Sequence, residues 1–144
     1  MSKIKSLLVT GDKTIDVEFP ELDGFVVTIS YVPREDLLKI RNQALVYKFN
    51  KRTRQREEEV DNDKFVEAYS ERVIKGWKGL KVKHLPKLLP VDISNMNSED
   101  DIPYSGEEAL DLLKNSSIFD QFITDTVNDI EKFSVQKKEA EIKN

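Results

Sequence analysis

The stretch ERVIKGWKGLKV, Glu71 to Val82, holds the chain's single tryptophan between Gly76 and Gly79. How far a helix runs into it decides how the middle of the chain is built. Upstream, Phe65, Tyr69, Val73 and Trp77 recur every four residues, Val66 and Ile74 widen the stripe, and Asp61 stands where an N-cap belongs. The spacing predicts a helix from about Asp61 to Trp77. Gly79 occupies the αL position that commonly ends a helix, with Gly76 a weaker candidate. Trp77 then closes an apolar face and the glycines turn the chain away from it. That makes Trp77, with Leu80, a structural anchor or a contact residue at a helix end.

Towards the start of the chain the pattern is that of strands. Lys3 to Val9 alternates in part, and TGDK, Thr10 to Lys13, offers a turn. TIDVEF places Ile15, Val17 and Phe19 on one face, and Pro20 ends it. After the turn ELDG, FVVTISYV sets Phe25, Val27, Ile29 and Tyr31 on the better core face. A small antiparallel meander is the economical reading. Pro33 begins a helix with Glu35 and Asp36 in its first turn, and Leu37, Ile40, Ala44 and Leu45 follow at helical spacing.

Beyond Leu80 a connector carries Pro86 and Pro90, with Leu85, Leu88 and Leu89 to pin it down and NMNSEDD as an exposed loop. Ser105 and Glu108 make a capping box ahead of Ala109, Leu110 and Leu113. Ser117 caps a last helix whose stripe runs Phe119, Phe122, Ile123, Thr126, Val127, Ile130 and Phe133. The expected fold is α+β: a small N-terminal antiparallel β-sheet followed by about four α-helices. It forms a single domain over residues 1–133, with the β part at about 3–32, the helical part at about 33–133, and a charged tail over 134–144.

Composition narrows the function. The chain has 144 residues, enough for one domain with a real core. A net charge of -4 argues against a general affinity for nucleic acid, which wants a basic face. The absence of cysteine removes thiolate catalysis, disulfides and the common structural zinc sites. No apolar run is long enough to span a membrane or serve as a signal peptide, so a cytosolic protein is expected.

Nothing in the sequence assembles a catalytic constellation. His84, the only histidine, lies in the proline-interrupted connector, where a packing or surface role outweighs general-base work. SEDD, Ser98 to Asp101, lacks the ordered spacing and central glycine of a calcium loop. No catalytic, cofactor-binding or metal-binding residue is assigned, and no enzyme is expected. The charge block is more informative: Lys48, Lys51, Arg52, Arg54 and Arg56 are followed at once by Glu57, Glu58, Glu59, Asp61 and Asp63. One reading is a solvated excursion, helical or not, with weak ion pairs across the junction. Another is a self-complementary strip, the basic half of one copy meeting the acidic half of the next. Nucleic-acid binding through the basic half is opposed by the neighbouring carboxylates.

Three segments carry a family resemblance: the R-x-x-EEEVD block, the expected helix ending in WKGL, and the IPYS start of a leucine-rich helix followed by a phenylalanine-rich one. In that order, over about Phe25 to Phe133, the chain resembles the tail assembly chaperones of long-tailed bacteriophages and prophages. The resemblance implies a non-enzymatic protein without cofactors, acting in the host cell cytoplasm and absent from the mature virion. It would hold the tape measure protein soluble until tail tube subunits polymerise around it. The implied partners are the tape measure protein, further copies of the chaperone and the tail tube protein, with no nucleic acid or membrane. A frameshifted longer form exists in many such phages. Arg52, Arg54, Arg56, Glu57, Glu58 and Glu59 then belong to the chaperone–chaperone contact. The alternative is a structural protein of the tail or head–tail connection.

Overall fold

The alternating segments form strands as their pattern requires: β1 is Thr14–Glu18 and β2 is Val26–Ser30, paired antiparallel with Val17 opposite Val27. In this computed structural model the described residues are 2–8 and 13–134. Val9, Thr10 to Asp12 of the expected turn, the Ile130 side chain and residues 135–144 of the charged tail lie outside them.

The first expected strand is instead a short helix, α1 (Lys3–Leu7). The Ser2 hydroxyl caps it by accepting from the Lys5 N–H at 3.3 Å, and Ile4, Leu7 and Leu8 fall on one side at helical spacing. None of its residues is buried.

Helix α2 is Arg34–Gln43, with Pro33 just outside it in the extended conformation that precedes a first turn. Ile40 and Ala44 of the expected stripe are buried, but Leu37 is exposed and Leu45 already belongs to the next strand. Strands β3 (Leu45–Asn50) and β4 (Gln55–Val60) form a separate two-stranded sheet where the sequence suggested the end of a helix and a charged excursion. Val46, Tyr47 and Phe49 favour extended backbone, and a turn nucleated by Asn50 folds β4 back onto them.

Helix α3 is Asn62–Val73, capped by Asp61, whose carboxylate accepts from the Lys64 N–H at 3.1 Å. It ends one turn earlier than the four-residue spacing implies. Ile74–Lys78 is strand β5, the third strand of the main sheet, paired antiparallel with β2 so that Trp77 faces Val27. Trp77 is therefore a strand residue and not the last rung of a helix. A spacing of four fits both the helical period and twice the strand period, so the step from Val73 to Trp77 could not tell them apart. Two facts favour the strand: Val73 and Ile74 are consecutive β-branched residues, and a β1–β2 hairpin alone would be marginal with its edge unpaired. The ladder shifts register between Thr28 and Ile29, which accommodates Lys75 as an extra residue.

The chain leaves β5 through Gly79 at φ 78°, where it crosses the turn at Gly24, itself at φ 84°. A Cβ on Gly79 would come 1.9 Å from the Gly24 carbonyl oxygen, so both the conformation and the approach demand glycine. Val82–Lys87 then winds as a 3₁₀ helix with Pro86 inside it, so the proline-interrupted connector is partly regular. Leu88 is buried and pins it, whereas the loop through Met96 to Asp100 is exposed.

Helix α4 is Gly106–Asn115, capped by Ser105, and helix α5 is Ser117–Asn128. The second cap is Ser116, one residue earlier than expected; its hydroxyl accepts from the Phe119 N–H at 3.0 Å while buried. The phenylalanine-rich stripe is not one helix: the chain breaks at Asp129, and α6 (Ile130–Phe133) turns Phe133 onto Tyr31 at 5.3 Å. Between the main sheet and α5 lies an aromatic cluster of Phe19, Phe25, Trp77, Phe119 and Phe122, with centroids 4.6 to 6.4 Å apart. Phe25, Val27, Ile29, Phe119 and Ile123 are wholly buried, each contributing about 2 kcal/mol relative to an exposed position.

Candidate protein-interaction surface

The β3–β4 hairpin rises from the junction of α2 and α3. At its root Ala44 is buried and its carbonyl accepts from the Asp61 N–H at 2.8 Å, extending the ladder by one bond. A guanidinium steadies the junction from below. Arg72 of α3 donates to the Ser30 hydroxyl at 2.8 Å and the Tyr31 carbonyl at 3.1 Å, and pairs with Asp36 of α2 at 2.9 Å. One partly buried side chain thus ties sheet, α2 and α3 together. The sequence reading missed it, because an arginine beside a helical stripe carries no mark of the residues it reaches across the fold.

At the tip, the Asn50 carboxamide oxygen accepts from the Arg52 N–H at 2.9 Å and the Thr53 N–H at 3.3 Å. This local turn bends the chain, and Arg54, at φ 55°, closes the loop by donating its N–H to the Asn50 carbonyl at 2.7 Å. The Asn50 amide nitrogen then reaches Glu57 at 2.7 Å, holding β4 in register.

The ladder pairs Leu45 with Val60, Tyr47 with Glu58 and Phe49 with Arg56. By alternation these six residues share one face. Tyr47 is 60% and Phe49 63% exposed, and the Arg56 guanidinium stands 5.5 Å from the Tyr47 ring centroid on the diagonal. On the opposite face Lys48 pairs with Glu59 at 2.9 Å, and that hydrogen bond, with Glu59's charge, raises the lysine's pKa. Both side chains are more than half exposed, so the pair adds little to stability.

The structure therefore collects Arg52, Arg54, Arg56, Glu57, Glu58 and Glu59 on one exposed hairpin. Arg52 and Arg54 lie in the turn, and the other four on β4. The charges separate along its length, cations towards the tip and carboxylates towards the root. The exposure of the two aromatic rings beside them follows from the strand alternation, which a helical reading conceals.

Trp77 and Leu80 lie elsewhere. Leu80 is buried. The Trp77 indole N–H donates to the Ile102 carbonyl at 2.9 Å, and its ring meets Tyr104 edge-on at 5.3 Å. Tyr104 in turn donates its hydroxyl to the Ile74 carbonyl at 3.0 Å, so the IPY segment before α4 is clasped to β5 at both ends. His84 is buried in the 3₁₀ helix, where its Nδ1 accepts from the Lys81 N–H at 3.0 Å. Burial, then Lys83, Lys87 and Lys81, lower its pKa against the opposing charge of Asp23. Glu99 of the SEDD loop is engaged by Lys83 at 3.2 Å, which lowers the carboxyl's pKa. Among the described residues no group of three metal-ligating side chains stands close enough to hold an ion, and no helix is long and apolar enough to cross a membrane.

No curated protein and no solved structure matches the chain. A family model does: that of the YdaY prophage protein, over residues 35–144. The match begins in α2 and takes in the hairpin, β5 and every later element, leaving α1, β1 and β2 outside it. Its description speaks of a prophage protein without naming tail assembly. On this match across most of its length, the chain belongs to the YdaY prophage protein family.

Proposed function

We propose that this prophage protein is a non-enzymatic tail assembly chaperone that binds the tape measure protein through the β3–β4 hairpin. The observation that carries the reading is the hairpin face on which Tyr47 and Phe49 stand more than half exposed within a frame of arginine and glutamate. Two such rings give contact area at small entropic cost, and a few of them make a weak contact that many copies along one client multiply. The charged frame discourages edge-to-edge aggregation and makes binding responsive to salt, which suits a client that tube subunits must later take over. The separated charges support contact between copies on the client, Arg52, Arg54 and Arg56 of one beside Glu57, Glu58 and Glu59 of the next. The protein would act in the host cytoplasm and leave before the virion matures.

Co-expression with tape measure fragments, followed by size-exclusion chromatography with light scattering at low and high salt, tests this. The expected result is a soluble complex with several copies per client, loosened by salt and lost when Tyr47→Ser and Phe49→Ser are combined. A salt-insensitive monomer that leaves the client insoluble overturns the reading. Recovery of the protein in purified virions overturns it in favour of a structural tail component.

A further inference from the structure

Two features stand exposed among the described residues: an apolar ridge flanked by lysines, and an apolar groove with an acidic rim. Helix α1 carries Ile4 and Leu7, each 73% exposed, and is followed by Leu8, 64% exposed, with Lys3 and Lys5 beside them. A helix of five residues with nothing buried is weak by itself and gains most from a surface that covers its apolar side. Such a surface lies between the end of β1 and α5, in a groove of about 610 Å³. Its apolar lining includes Phe19, Leu22, Phe122 and Ile118, the last 53% exposed. Its rim has four carboxylates, Glu18, Glu21, Asp125 and Asp129, against the two lysines Lys87 and Lys132. Lys132 is already within 4.0 Å of Asp129.

We infer that the occupant of this groove is α1 of a second copy of the chain. The apolar ridge would meet the apolar floor, and Lys3 and Lys5 would meet the acidic rim. The groove is lined by Val17 to Leu22, at and beyond the end of β1, whereas α1 joins the chain ahead of its start. To reach its own groove α1 would have to be carried back along the whole strand, about 17 Å, on a tether of five residues. A second copy meets no such constraint, and exchanging the same element in both directions closes a dimer. The contact shares no residue with the hairpin, so it stands or falls separately from the client-binding reading.

The chain has no cysteine, so single cysteines report the contact directly. Leu7→Cys and Ile118→Cys change exposed side chains and leave the core intact. Mixed and mildly oxidised without any client, the two full-length variants are expected to form a disulfide-linked heterodimer faster than Leu7→Cys mixed with Met96→Cys, whose site is an exposed loop. Adding Lys5→Glu to the first partner should slow the cross-link, and Asp125→Lys in the second should restore it. A rate no greater than that of the Met96 control overturns the inference. So does a chain bearing both Leu7→Cys and Ile118→Cys that closes only on itself as a monomer.

Discussion

The two sheets are built from similar numbers of residues per strand and have opposite relations to the rest of the molecule. In the three-stranded sheet, β2 is central, its inward residues are wholly buried, and α5 lies across it. In the two-stranded sheet every residue from Lys51 to Glu59 is exposed, and the aromatic rings face outward. The first sheet exists because burial stabilises it. The second is held by its own ladder, an asparagine turn and a root anchored between two helices. A position on the first should therefore report stability, and one on the second, on the proposed function, should report binding.

That contrast breaks if core truncations prove mild. Phe119→Ala should cost about 4 kcal/mol, read from urea unfolding, because its ring is wholly enclosed by the aromatic cluster. Gly79→Ala should cost on the order of 3 kcal/mol, since it meets both the φ penalty and the Gly24 carbonyl. Trp77→Phe keeps most of the packing but loses the hydrogen bond to Ile102, for about 1 kcal/mol. Among the hairpin residues, Lys48→Ala should leave the urea midpoint unchanged within error, despite the short ion pair it deletes. A marked drop there would mean that the hairpin is part of the core's cooperative unit.

A pH series sharpens the same comparison. The pKa of His84 is lowered on folding, so below about pH 6.5 the unfolded chain binds a proton that the native ring resists. The stabilisation is fully present above that pH and is lost as pH falls through the lower, folded-state value. His84→Asn retains an acceptor for the Lys81 N–H and should flatten the fall in urea midpoint between pH 7.5 and 5.5. An unchanged slope would place the acid sensitivity elsewhere.

Period-two alternation made β1 and β2 legible in the sequence, and side-chain caps made the starts of α3 and α4 legible. The α+β class followed from them. Failures came where a local pattern served two structures. The step from Val73 to Trp77 suits a helix and a strand alike, and only the unpaired edge of β2, distant in the chain, decides between them. The charged block was visible as a block, but three consecutive glutamates have little strand preference. Their conformation is imposed by the Asn50 turn and by the partner strand. Ile4, Leu7 and Leu8 suit a short strand as well as a helix, and the Ser2 cap selects the helix.

The placement of β5 also bears on how the protein is born. β2 must wait for a partner that is synthesised only after everything from Tyr31 to Val73, so the main sheet cannot be completed while the ribosome is still translating the hairpin. Until then the nascent chain presents β2 with one open edge and an uncovered apolar face. The hairpin closes through local contacts and can form first. The face proposed to bind other proteins would thus be ready before the core that carries it.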